Sequence, residues 1–269
     1  MDVVINAHKD NAPAGSIALT TQGDFWLNAL AQLGQDPVNT PLADLFRVHH
    51  QLEAGEWLIV SLINWQVTHN DAMITAHGAD LNLNEAVARI WFAEISQFLA
   101  QDGLTLIYHS PYYWLLNAAT KPPLTSPNLP AIQHQSLMPI LAELDETMYW
   151  QRLFTELQMF LASHPLNAAS DRLIPINGIW FWGGGQLLTT SSDPLRPIVT
   201  DDPIIQQVFT PCLPVDLDNK AIDEKTLFAI CYPDVALLKQ LDKVTQKRTV
   251  NWYWNNRAYQ TKFKPWYKR

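Results

Sequence analysis

Residues 175–185 read PINGIWFWGGG. From Ile176 to Trp182 the run lacks the polar alternation of a strand with one wet face, so it predicts a strand buried on both faces. Such a strand needs further structure on either side of it, and that demand limits the fold more than any other stretch of the chain. The glycines Gly183, Gly184 and Gly185 stop the strand where the backbone bends sharply or lets something approach closely. Two readings stay open for them. They make a tight turn against the sheet edge, or their successive N–H groups form a concave nest for an anion.

The rest of the chain supplies the layers. Residues 24–34, DFWLNALAQLG, fit a short amphipathic helix with Phe25, Leu27, Leu30, Ala31 and Leu33 near helical spacing and Gly34 at its end. PLADLFRVHH reads as another short helical turn, and EWLIVSLINWQVT as a strand over 57–67. NLNEAVARIWFAEISQFLAQDG predicts a helix capped by Asn82 or Asn84. Val87, Ile90, Trp91, Ile95, Phe98 and Leu99 line one side of it, and Gly103 closes it. LTLIYHS (104–110) is a strand, and YYWLLNA its antiparallel partner. TKPPLTSPNLP carries four of the 18 prolines and reads as a surface loop.

DETMYWQRLFTELQMFLAS predicts a helix over 145–163, capped by Asp145, with Trp150, Leu153, Leu157, Phe160 and Leu161 buried. Pro165 ends it near His164. After the glycines, QLLTT reads as a short strand, and DDPIIQQVF as a helix start with Asp201 as cap. This order predicts a mixed α/β or α+β fold, a partly antiparallel sheet packed with helices, as one domain over 1–242.

Charge is distributed unevenly. The net charge of −8 comes from 18 basic and 26 acidic residues. Eight of the basic residues and none of the acidic ones lie in 243–269, so residues 1–242 carry ten against 26. In the tail, Val250, Trp252 and Trp254 alternate before Asn255-Asn256, and a strand-like pattern resumes after them. The tail therefore predicts a β-hairpin docked on the main domain. Cations interleaved with aromatics suit single-stranded nucleic acid, but the acidic body would repel it. Docking on that body, or closure over an anionic ligand, is the favoured reading.

The apolar runs fall short of the roughly 20 residues that a membrane span needs, and MDVVINAHKD has none of the features of a secretory signal. Cys212 and Cys231 form no CxxC pair and no zinc spacing. A cytoplasmic protein with buried thiols, no metal and no cofactor is the expectation.

The candidate site is the loop before the aromatic strand. His164 ends a helix, where it is either a polar stop or a base in a cleft. Asn167 closes an Asx-turn or contacts a ligand. Asn177 would be costly if buried without partners, and is expected to pin the loop to the strand. With Arg172 and the three glycines these residues form the expected ligand-binding set. No catalytic residue stands out.

GEWLIV, LNLNEAVARIWFAEISQFLAQDGLTLIYHSPYYWLL, TELQMFLASHPLN and INGIWFWGGG, in this order over roughly residues 24–190, resemble the bacterial proteins called "regulatory protein, RpfE type", many of them labelled phosphoglycerate mutase-like. That family is similar in turn to the inserted domain of cofactor-independent phosphoglycerate mutases of the alkaline-phosphatase superfamily, where a His-Pro-x-Asn segment precedes a strand and glycines. The resemblance implies a fold more than an activity. Two charges of the family pattern are missing. Ser170 stands where the family has Arg after its Asn, with Arg172 nearby, and Tyr113 precedes Trp114 where the family has Arg. The superfamily's chemistry needs two divalent metals held by Asp and His around a Ser or Thr. Here there is no Asp-x-Ser near the N-terminus, and the pairs His69/Asp71 and His77/Asp80 do not make a binuclear site. The expectation is a regulatory or binding module for a small anionic, phosphorylated metabolite or a protein partner, not itself an enzyme. A phosphoglycerate mutase-like phosphoryl-transfer or hydrolytic enzyme is the alternative.

Overall fold

The computed structural model describes residues 1–69, 71–168, 174–188, 196–215 and 222–262. The chain runs β1 (Asp2–Ile5), β2 (Ile17–Leu19), α1 (Phe25–Gln32), α2 (Leu42–His49), β3 (Trp57–Val67), β4 (Ala72–His77), α3 (Glu85–Ala100), β5 (Thr105–Tyr108) and β6 (Trp114–Asn117). Then come α4 (Leu129–Ile132), α5 (Met138–Ala142), α6 (Tyr149–Ala162), α7 (Pro165–Ala168), β7 (Gly178–Trp182), β8 (Ile198–Thr200) and α8 (Pro203–Val208). The last elements are β9 (Cys212–Leu213), β10 (Leu227–Ile230), α9 (Val235–Thr245), β11 (Val250–Trp254) and β12 (Arg257–Thr261). This is the mixed α/β class that the element order predicts. Among the described residues, no helix is long and apolar enough to cross a membrane.

Two compact units emerge, Met1–Thr40 with Leu187–Arg269, and Pro41–Gln186. The expected division into one domain over 1–242 and a docked hairpin over 243–269 is not the one seen. The hairpin is part of a sheet, because β11 pairs in parallel with β1 from Asp2↔Asn251 to Ile5↔Trp254. The first strand is paired with the last but one, which ties the start of the chain to the hairpin.

In the first unit the strand order is β2-β12-β11-β1-β10-β8-β9. Only β12 runs against its neighbours, antiparallel to both β11 and β2. The central strand β1 is Asp-Val-Val-Ile, and Val3, Val4 and Ile5 are all fully buried, as a strand covered on both faces must be. Val3, Ile5, Phe228, Ile230, Trp252, Trp254 and Tyr259 form one cluster with Leu241 of α9. Val4 faces the other side by strand alternation, and α1 packs against β1 and β11. Asp24 caps α1 through the Trp26 and Leu27 N–H groups.

The second unit is built around β3. Ile59 pairs with both β6 and β7, and Ile63 with both β4 and β7. Strand β7 therefore lies along one edge of β3, and β6 and β4 follow one another along the other. All these pairings are antiparallel, and β5 extends the sheet beyond β6. Helix α6 covers β7: Phe154 stacks on Trp180 at 5.0 Å and meets Phe181 at 5.2 Å, and Trp150 meets Phe181 at 5.3 Å. The buried indoles need acceptors. The proline-rich loop supplies two of them, Pro122 O for Trp150 at 2.8 Å and Pro127 O for Trp180 at 3.2 Å.

Several local expectations shift. Ile90 is 48% exposed, and Ala88 takes its place on the buried face of α3. Asp202, not Asp201, caps α8. Residues 186–188 form no strand, and the remainder of QLLTT lies outside the described residues. Strands β1, β2, β4, β8, β9 and β10 were not anticipated; all but β4 have four residues or fewer and gain their regularity from their sheet neighbours.

Truncating Phe154 to Ala would open a cavity against Trp180 and Phe181. The expected cost is about 3–5 kcal/mol, read as a lower urea midpoint with an unchanged slope.

Candidate functional site

The expected site is drawn apart by the strand that was to anchor it. Asn177 precedes β7 and Gly183 follows it, so six extended steps across the five-residue strand, about 20 Å, separate them. One small ligand cannot span that distance and touch both ends. At the first end the polar atoms serve the chain itself. Asn167 donates to Leu161 O at 2.9 Å and Ile176 O at 2.8 Å, and accepts from Ile176 N at 3.0 Å. Asn177 accepts from Trp65 N at 2.9 Å and donates to Trp65 O at 2.8 Å, completing the ladder where β3 runs past β7. His164 packs between Trp91 and Phe160, each with ring centroids at 5.0 Å. Its Nδ1 accepts from Leu166 N, and its Nε2 lies 3.4 Å from the Glu94 carboxylate. Arg172 lies outside the described residues.

At the second end the glycines turn against packed side chains. Gly183 has a positive φ of 68°, and a Cβ there would stand 3.1 Å from Ile59 Cγ1. A Cβ on Gly184 would stand 2.9 Å from Leu58 Cδ2. The Gly183 carbonyl accepts from Ala43 N at 2.9 Å, tying the turn to α2. The turn reading accounts for this geometry. Glu156 on α6 is exposed.

A histidine pair that no sequence signal marks lies elsewhere in the same unit. His50 Nε2 and His109 Nδ1 are 2.9 Å apart, so one proton sits between two imidazoles. His109 stacks on Phe46 at 3.9 Å, with His49 edge-on at 6.0 Å. Burial first, then the neighbouring His50 and His49, push its pKa down to about 4. Fifty-nine residues separate the pair, and only the fold brings them together.

The more open feature of the first unit is a groove of about 460 Å³ between α9 and the β11–β12 hairpin. Trp252, Trp254 and Tyr259 form its floor, and among the described residues Lys9, Arg248 and Lys262 stand around it with a single carboxylate, Asp242. Trp254 is only 5% exposed, and its indole N–H is buried without an acceptor. Burial raises the Tyr259 pKa, and the Trp254 indole N–H beside its hydroxyl works against that rise. Lys9 Nζ lies 5.1 Å from the centroid of the Trp254 ring. Among the described residues none of the three cations has a carboxylate partner; Arg248 donates to Ile222 O and Asp223 O. The aromatic alternation of the tail was legible. Lys9 and Asp242 were not, because pairing of β1 with β11 and packing of α9 bring them there.

The carboxyl ends of the parallel strands are the general location for chemistry in such sheets. Here most of the described polar groups bond one another or the backbone, with Asn255 Oδ1 buried without a partner. Asp201 accepts from Cys231 N at 2.6 Å and Tyr232 N at 2.9 Å, and Asp202 accepts from Ile204 N and Ile205 N. Asn6 donates to Cys231 O, and Asn255 donates to Asn6. Burial drives the Cys231 thiol up to about 12, which keeps it protonated and unreactive. Among the described residues no three His, Cys, Asp or Glu side chains are grouped to hold a metal ion. The two-metal set that the mutase resemblance implies does not fit this edge, where both aspartates already accept backbone N–H groups.

Asn177→Ala would leave the Trp65 N–H and C=O unpaired. It should lower stability by about 1–3 kcal/mol while leaving ligand binding in the α9 groove unchanged, a separation that calorimetry and chemical denaturation together can read. For His109 the folded pKa lies below the unfolded one, so the folded state binds fewer protons between about pH 6.5 and 4. Its share of stability is therefore intact above that window and lost as pH falls through it. Urea midpoints at pH 7 and pH 5 should differ less in His109→Phe than in the wild type.

No protein-family model matches the chain, and no curated protein matches it. Membership of the RpfE-type family is thus not shown. A solved structure, the cofactor-independent phosphoglycerate mutase from Thermoplasma acidophilum DSM 1728, aligns over 97% of this chain and 89% of its own, with 12% identity and a TM-score of 0.36. At that TM-score the likeness is distant and carries no conclusion about site or activity.

Proposed function

We propose that this chain is a binding module whose groove between α9 and the β11–β12 hairpin takes a small anionic molecule, a phosphorylated metabolite being one such ligand. One observation carries the reading: a buried indole N–H on Trp254 without an acceptor, in a groove where three cations face one carboxylate. A buried donor left unpaired costs about 1–3 kcal/mol, and an anionic acceptor would recover it. The groove volume falls within the usual range for small-ligand sites. Trp252, Trp254 and Tyr259 are too deeply packed to offer their faces. A nucleobase could not stack on them, which turns the reading away from single-stranded nucleic acid. It also does not require catalysis: among the described residues no nucleophile with an activating base lines the groove.

The test is a thermal-shift and calorimetric screen with phosphorylated metabolites at low and moderate salt. A ligand of this groove raises the melting temperature and binds more weakly as salt increases. Trp254→Phe removes the donor at some cost in packing, read from the melting temperature of the free protein, and should weaken binding about tenfold or more. Lys9→Ala with Lys262→Ala should weaken it further without loss of fold. Binding that survives all three substitutions, or a screen in which no anion binds, overturns the proposal.

A further inference from the structure

We infer that the anion taken by the α9 groove is two-headed, a polyol phosphorylated at both ends, with its anionic groups roughly 10 Å apart and an uncharged hydroxylated chain between them. The inference rests on the reading of that groove as an anion site, and adds the length of the ligand and the chemistry of its middle. Strand register supplies the length. In the described lining the cations fall into two groups. Lys9 stands at the Trp254 end of β11, with its Nζ 5.1 Å from the centroid of that ring. Its backbone is fixed there: Lys9 N donates to Asn256 Oδ1 at 2.9 Å, and Asn256 Nδ2 donates to Lys9 O at 3.2 Å. Arg248 and Lys262 stand at the other end. Lys262 follows Thr261, the cross-strand partner of Val250, and Arg248 precedes Val250 by two residues. Arg248 is held in place by Ile222 O and Asp223 O. Four extended steps, about 13 Å, separate Val250 from Trp254.

The middle of the groove has the opposite charge. Trp252 lies halfway between Val250 and Trp254 and pairs with Tyr259, and both rings line the groove. Burial first, and Asp242 as well, raise the Tyr259 pKa against the pull of the Trp254 indole and Arg257. The Asp242 carboxylate therefore stands beside this middle pair. A single anion at the centre would meet that carboxylate, and one at either end would leave the other cations unused. Two anionic ends with a neutral chain between them match the order of cation, carboxylate and cations along the hairpin. An ionised carboxylate only accepts hydrogen bonds, so hydroxyls on the chain are the groups that Asp242 would bind. Long lysine side chains lean from their backbone positions, which brings the two charges of the ligand closer together than the strand ends.

Calorimetry on the full chain with three probes tests this. Mannitol 1,6-bisphosphate should bind about tenfold or more tightly than glycerol 1,3-bisphosphate, which carries equal charge on a chain three carbons shorter. In Lys9→Ala and in Lys262→Ala alike that advantage should largely vanish, with the melting temperatures of the free variants verifying that they fold. Hexane-1,6-diyl bisphosphate keeps the length and lacks the hydroxyls. It should bind several-fold more weakly than the mannitol compound in the wild type and equally in Asp242→Ala. Equal affinity for the long and short bisphosphates, an advantage that survives either lysine substitution, or a polyol preference that is absent or persists without Asp242 overturns the inference and leaves the anion reading standing. Failure of all three probes and of inorganic phosphate to bind overturns both.

Discussion

The interior of this protein depends on giving buried indoles somewhere to donate. A tryptophan ring buries a large apolar area but carries one N–H that must find an acceptor or remain a cost. In the second unit most of that need is met by backbone and hydroxyl oxygens from outside the strand. Pro122, Pro127 and Glu53 lend carbonyls, and Ser61 its hydroxyl. The proline-rich loop thus has a definite task, since a proline carbonyl accepts while its nitrogen has no hydrogen to satisfy. It is a structural component of the core.

The same accounting points to function. Among the described residues Trp65, Trp114 and Trp254 hold buried indole N–H groups without an acceptor. Trp254 is the one of them whose groove has three cations, Lys9, Arg248 and Lys262, in its described lining. The carboxyl edge of the parallel sheet, where fold analogy alone would look, has its aspartates and asparagines tied to backbone and to each other. Its polar groups hold strand ends and a helix cap together.

Much of the architecture was written in local pattern. The eleven residues of β3, the stripe of α6, the strand at β7 and the alternation of the hairpin all follow from periodicity and turn residues. The candidate site was read less well, and partly for a reason also present in the sequence. A strand of five residues between Asn177 and Gly183 already sets its two ends far apart. Asn167, Asn177 and His164 were rightly marked as special, because short polar groups beside an apolar strand are costly unless bonded. Their partners turned out to be Leu161, Ile176 and Trp65 backbone groups and two aromatic rings.

The sequence by itself determined the element types and the need to bury a Trp-rich strand on both faces, because these follow from side-chain spacing along a local stretch of backbone. Tertiary structure alone decided that the first strand pairs with the last but one, that Lys9 stands over Trp254, and that His50 Nε2 meets His109 Nδ1. Such pairings join residues up to 249 positions apart. Nothing in a neighbouring residue's chemistry encodes them, since long-range strand order is chosen by which arrangement buries the most apolar surface with its polar groups paired.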